Sequence, residues 1–226
     1  MKKQQTPDEI ERIQQAILDR EVEEELQKER LMNFWNKYRF LIIGGVLAVV
    51  VTVGGTEMYR SWYEGVRLKE SNIFENATVL NAKGEKETAV KELNILTQSA
   101  KTDYKYLAEL KKAGIFLSQE NKNEALQTLK KVIDTKEAPE ALKNIALLSY
   151  IGHQVETKNA DELLSLLTPL LNQNSAYFAA ATELKVALLL KQDQKEEAKK
   201  TLQDAVLNPN LTPNATDRMN MLLSGL

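Results

Sequence analysis

Apolar and polar residues are patterned in two different ways along this chain. From Phe40 to Thr56, seventeen residues (FLIIGGVLAVVVTVGGT) pass without a charge, closed by Arg39 on one side and Glu57 on the other. Beyond Glu57, apolar positions recur every three or four residues, in segments of about 12–18 residues divided by short Gly, Asn, Lys or Pro turns. That is the pattern of amphipathic helices. No segment there shows the strict alternation of a half-buried strand.

The helical segments keep a common spacing. GEKETAVKEL places Ala89 early in a helix. Ala125 follows thirty-six residues later, Leu163 thirty-eight after that, and Ala198 thirty-five further. Four residues beyond each stand Leu93, Leu129, Leu167 and Leu202. Twelve residues before each stand Ala77, Ala113, Ile151 and Val186, and nine before stand Leu80, Phe116, Gln154 and Leu189. Small residues on both helices of a hairpin let the backbones approach, and the larger residue fills the groove beside them. A hairpin of this length cannot bury both its faces, so four of them are expected to stack. The third departs from the others by carrying Ile151, Gln154 and Leu163. Pro139 and Pro209 fall where the chain must turn. Thr212-Pro213 restarts a final helix, whose Met219, Met221, Leu222 and Leu223 are expected to cap the stack.

The uncharged run reads as a membrane span. Seventeen helical residues cover roughly 26 Å, slightly short of a hydrocarbon core of about 30 Å. Ten of them are Leu, Ile, Phe or Val, favouring insertion by about 3–6 kcal/mol before four glycines subtract something. Interfacial anchors extend it: Trp35, Tyr38, Tyr59 and Trp62, with Lys37 and Arg39 able to snorkel. A buried core helix rarely carries aromatics at both ends, and a cleaved signal peptide has a shorter basic leader than the 39 residues here. Lys28, Arg30, Lys37 and Arg39 before the run, against Arg60, Arg67 and Lys69 after it, lean toward a cytoplasmic N-terminus. Gly44 and Ala48 form one small-xxx-small pair. Ahead of the run, Thr6-Pro7-Asp8-Glu9 is a helix start. It leads into an amphipathic helix expected over residues 7–33, with Ile10, Ile13 and Ile17 on one face and then Val22 and Leu26. The expected organisation is a charged arm at 1–36, a span with its flanks at 37–60, and a helical repeat domain at 61–226.

Composition narrows the chemistry. The chain has no Cys and one His, which excludes disulfides, thiolate sites and paired imidazoles. A net charge of −2 offers no basic field for nucleic acid. His153 has no nucleophile motif around it, and no phosphate-cradling or dinucleotide loop occurs. Glu196-Glu197 reads as a solvated helix face. Lys130-Lys131 and Lys199-Lys200 occupy matching places on second helices, so they read as repeat surface. No catalytic residue, metal, cofactor, nucleic acid or small-molecule substrate is expected, and the chain does not read as an enzyme.

The hairpins resemble the tetratricopeptide repeat, whose consensus has small residues at these two helix positions and an aromatic between them. Ala113, Phe116, Ala125, Leu129 and Pro139 carry that likeness in the second hairpin, with Ala77 and Ala89 in the first and Ala198 in the fourth. The resulting expectation is an all-α chain: one transmembrane helix, then a tetratricopeptide-like α-solenoid of about four hairpins with a C-terminal capping helix. In such a solenoid a concave groove is lined mainly by first helices. The repeat grammar puts Phe74, Thr78, Leu110, Gly114 and Leu117 on it and Tyr104 and Tyr106 near its rim, facing a helix or extended peptide. The same residues have a second possible use, packing between neighbouring hairpins.

Arm, span and repeat domain in this order resemble the ancillary subunit of the bacterial Sec translocon, over about residues 34–226. FWNKYRFLIIGGVLAVVV, TDYKYLAELKKAGIFL, ALLLKQDQKEEAKKTL and RMNMLLSGL carry the likeness. The resemblance implies a single-pass protein of the bacterial inner membrane with its C-terminal domain in the periplasm. It also implies association with the translocon channel, a membrane-anchored prolyl-isomerase-type chaperone as neighbour, and secretory clients. The alternative is a membrane-tethered assembly or signalling scaffold whose N-terminal arm binds a cytosolic regulator.

Overall fold

The computed structural model describes the backbone of residues 7–226, and the side chains of Arg20 and of residues 25–41, 43–45 and 47–226. Thr6 of the expected helix start, and the side chains of Ile10, Ile13, Ile17 and Val22, lie outside that description. Among the described residues all regular structure is helical.

Helix α1 (Pro7–Ala82) runs for 76 residues. The expected end near residue 33 does not occur. No proline interrupts the chain between Pro7 and Pro139, and glycine pairs weaken a helix without stopping it. By their contacts the residues divide into two compact units, one up to Tyr63 and one from Glu64 onward. In the first, α1 is long and apolar enough to cross a membrane, and none of its apolar stretch is buried within the protein. Phe40, Leu41 and Val51 are each about 70% exposed or more, as 75%, 74% and 69%.

The second unit is a row of helical hairpins. The end of α1 pairs with α2 (Lys86–Ser99), α3 (Tyr104–Ser118) with α4 (Lys122–Asp134), and α5 (Glu140–Gln154) with α6 (Ala160–Leu167). After a 3-10 turn at Thr168–Leu171, α7 (Phe178–Lys191) pairs with α8 (Lys195–Val206), and α9 (Pro213–Ser224) packs on α8. The two small-residue places of each hairpin and the leucine four beyond are inside, while Leu80, Phe116 and Gln154 of the remaining place are half-buried. Ala77, Ala89, Ala113, Ala125, Ile151, Leu163, Val186 and Ala198 are at most 2% exposed. So are Leu93, Leu129, Leu167 and Leu202.

The core is a chain of four apolar clusters. Ala77, Leu93 and Ile115 belong to the first, and Ala113, Leu129 and Ala146 to the second. Ile151, Leu163 and Leu188 belong to the third, and Val186, Leu202 and Met219 to the fourth. The first three each join adjoining hairpins, and the fourth joins the last hairpin to α9, the arrangement of a solenoid. Glu70 fastens the start of this row. Its buried carboxylate accepts from Lys101 N at 2.7 Å, Thr102 N at 3.2 Å and the Thr102 hydroxyl, tying α1 to the α2–α3 turn.

Hairpins one, two and four turn in the same way. Gly84, Glu120 and Asp193 have φ of 86°, 60° and 58°. The next N–H in each case, on Glu85, Asn121 and Gln194, donates back to Leu80, Phe116 and Leu189. This is the Schellman closure of a helix end. The third hairpin has no such residue. It closes with a longer turn, and Asn159 caps α6 by accepting from Asp161 N at 2.8 Å. At the C-terminus Thr212 caps α9, accepting from Ala215 N at 3.3 Å. Met219 is fully buried and Leu223 packs beside it. Met221 and Leu222 are exposed instead, because they fall on the outer side of a helix with one neighbour to cover it.

Candidate functional site

First helices of successive hairpins touch, α3 with α5 and α5 with α7, and so make a common face. The register lines up three rows on it: Phe74, Leu110, Leu148 and Glu183; Thr78, Gly114, Gly152 and Ala187; and Asn81, Leu117, Val155 and Leu190. The middle row is small throughout. A Cβ on Gly114 would meet nothing within 4 Å, and one on Gly152 would meet Leu184 Cδ2 at 3.6 Å. The face is therefore shallow along that row, with half-buried aliphatics beside it. Gly152 and Leu190 were not anticipated as part of it, although they stand thirty-eight and seventy-three residues from Gly114 and Leu117.

The expected groove residues separate into two groups. Gly114 is exposed, and Leu110 and Leu117 are half-buried. Phe74 and Tyr104 instead pack against each other, ring centroids 5.8 Å apart, beside the cluster joining hairpins one and two. Thr78 turns its hydroxyl back on Phe74 O at 3.0 Å. Tyr106 is not a rim residue: it is buried with Ala113, Leu129 and Val132. It sits one turn before Leu110 on the same side of α3, where it shares a cluster with Leu129 and Val132 of α4 and Ala146 of α5.

Charge is handled locally. Glu109 is buried on α3, where its carboxylate pairs with Lys112 at 3.2 Å and with Lys131 from α4. Lys131 thus remains largely exposed but also pairs with a buried carboxylate, alongside the more buried Lys112, since such a carboxylate requires compensation. Only the partners' positions in space reveal this; in sequence Glu109 looks like any acid in a charged helix. On α9, Arg218 reaches Glu183 at 2.8 Å, so the last place in the first row is held by the capping helix. Lys158, in the turn after α5, lies 2.7 Å from Glu162. That carboxylate, and then Tyr150, hold its ammonium above the usual lysine range. His153 is exposed at the end of α5.

Stacked hairpins with an open first-helix face and a line of internal clusters define a repeat scaffold, a class whose surfaces serve contact with other proteins. The chain belongs to the tetratricopeptide repeat-like domain family, whose model matches residues 32–222. The match takes in the apolar run of α1 as well as all four hairpins and most of α9. No curated protein and no solved structure matches the chain. Domains of this kind are typically protein-interaction modules.

Proposed function

We propose that this chain is a membrane-tethered interaction protein of the bacterial inner membrane, with its N-terminus in the cytoplasm and its repeat domain in the periplasm. It sits beside the Sec translocon channel and uses its first-helix face to recruit a membrane-anchored prolyl-isomerase-type chaperone or secretory clients. The observation that carries the tethering is the aromatic spacing on one unbroken helix. Tyr38 and Tyr59 are twenty-one residues apart, about 31 Å along α1, which matches a hydrocarbon core of about 30 Å. Trp35 and Trp62 are twenty-seven apart, about 40 Å, which matches the distance between headgroup layers. Apolar side chains between them are exposed, a surface that water disfavours and lipid accepts.

The translocon reading rests on the order of arm, span and repeat domain; the family match extends over the span as well as the repeats. Tethering raises the local concentration of a weak binding face where clients emerge, so shallow contacts along Gly114 and Leu117 suffice. Photo-crosslinkers at Gly114 and Leu117 in intact membranes should recover translocon or isomerase components. Recovery of neither overturns the recruitment reading. Protease protection of spheroplasts with tags at both ends tests topology separately, with the C-terminal tag expected to be the accessible one.

A further inference from the structure

Adjoining hairpins are joined by apolar clusters and by side-chain hydrogen bonds, and the hydrogen bonds are unevenly distributed. Between hairpins one and two, Gln119 Nε2 donates to Glu87 Oε1 at 2.9 Å, and Lys86 Nζ to Ser118 O at 3.1 Å. Between hairpins three and four, Gln192 Nε2 donates to Asp161 Oδ1 at 2.8 Å. Lys191 Nζ donates there to Val155 O at 2.6 Å and Lys158 O at 2.9 Å. Just ahead of α7, the Tyr177 hydroxyl donates to Ala141 O on α5 at 3.1 Å. Among the described residues, no side-chain hydrogen bond or ion pair joins α3 or α4 to α5 or α6. Lys143 Nζ on α5 reaches only as far as Lys136 O in the connection, at 3.0 Å.

The sequence accounts for the gap. The step of seventy-three residues that takes Ala113 to Val186 also takes Gln119 to Gln192, so both glutamines hold one place in the repeat. In hairpin three that place is Thr157, thirty-eight residues after Gln119. The acceptors correspond as well. Glu87 and Asp161 are each the second residue of a second helix, and the same place on α4 is Asn123. Thr157 lacks the length of a glutamine and donates to the Gln154 side chain in its own turn. Asn123 stays exposed.

What holds hairpins two and three together is the second apolar cluster, in which Tyr106 and Val132 meet Ala138 and Ala146. Apolar burial is non-directional, so it keeps two surfaces together without fixing the angle between them. Hydrogen bonds have narrow angular preferences and do fix it. Hairpin three also leans toward its other neighbour, since Leu163 and Leu167 pack with Leu188. On the first-helix face, the two places of the small row that flank this junction are both glycine, Gly114 and Gly152. The outer two are Thr78 and Ala187. With no side chain at either inner place, α3 and α5 can tilt toward each other along that row without a clash.

We propose that the connection at 135–139 is a hinge between two rigid blocks, hairpins one and two on one side and hairpins three and four with α9 on the other. Bending there narrows or widens the first-helix face between Gly114 and Gly152, so that the face closes on a segment seated across both blocks. This does not rest on the membrane or translocon reading. The chain has no cysteine of its own to interfere with site-directed spin labels. Lys91, Gln127, Ser165 and Lys200 hold one exposed place on the four second helices. Dipolar electron paramagnetic resonance on the full chain in detergent micelles reads the neighbouring pairs. These are made by Lys91→Cys with Gln127→Cys, Gln127→Cys with Ser165→Cys, and Ser165→Cys with Lys200→Cys. The middle distance distribution should be about two-fold broader than the outer two. Thr157→Gln with Asn123→Glu supplies the missing tie and should narrow the middle distribution to the outer width. Lys86→Ala with Gln119→Ala removes the first junction's ties and should broaden the first pair to the middle width. Three equal widths in the otherwise unaltered chain overturn the proposal, as does a middle width that the added tie leaves unchanged. A first pair that stays narrow without its ties overturns it too. Equal broadening of the second and third pairs would place the motion in α6 itself, which also overturns it.

Discussion

Hairpins two and three are neighbours built to the same register, yet they close differently. In hairpin two, Ala113 and Ala125 are both buried and a Schellman turn at Glu120 joins the closely packed α3 and α4. In hairpin three the same two places hold Ile151 and Leu163, both fully buried, and α5 touches α6 far less than α3 touches α4. Two large residues where two alanines would let the backbones meet hold the helices apart. The chain accommodates this with a short α6, a 3-10 turn and a longer connection. Leu163 and Leu167 then pack with Leu188 of the following hairpin as well as with Ile151. A repeat can thus keep its burial pattern while transferring part of its packing from its own partner helix to the next hairpin.

The sharpest way to break this comparison is to shrink hairpin three. Leu163→Ala should destabilise the chain by about 3 kcal/mol in chemical denaturation, because the helices are held apart and the site cannot collapse. A loss under about 1 kcal/mol would mean that α5 and α6 close up freely, and the distinction would fail. The converse change, Ala125→Leu, should cost about 2 kcal/mol by overpacking a close contact; a neutral result would show that hairpin two has no close contact to protect. Glu70→Ala removes the acceptor of two backbone N–H groups and a hydroxyl. It should cost about 1.5 kcal/mol, and faster hydrogen exchange at Lys101 and Thr102 would locate the loss. The smallest effect concerns the turns. Glu120→Gly should stabilise by about 0.5 kcal/mol, since glycine adopts positive φ without a Cβ clash. Thr157→Gly in the third hairpin should give no gain, because no residue there has positive φ among those described. Equal gains at both turns would erase the difference between them.

Much of this was legible in sequence. The buried register positions follow from spacing alone, because a small or aliphatic residue recurring every 35–38 residues has to face a neighbour in a stacked array. The capping of α9 by Thr212 and Pro213 was equally local. The face was legible only in part. Gly114 is exposed and Leu117 half-buried, but Tyr106 is buried in the second cluster and Phe74 packs on Tyr104, a choice between face and interior that only packing decides. The Glu109–Lys131 pair was not legible at all: its members are twenty-two residues apart on different helices and look like ordinary surface charge. The unbroken course of α1 was also missed, since a change in composition from charged to apolar suggests a boundary that the backbone does not make.

Because each core cluster is filled by side chains from adjoining hairpins, or by the last hairpin and α9, the repeat domain has an order in time as well as in space. The first cluster is complete once the chain has been made as far as Ile115, and the second once it reaches Tyr150. Contacts so close in sequence form quickly and wait for nothing downstream. A chain delivered N-terminus first, from a ribosome or across a membrane, can therefore fold behind the point of delivery, hairpin by hairpin. The third cluster closes in the same way when Leu188 arrives, and the fourth when Met219 arrives with α9.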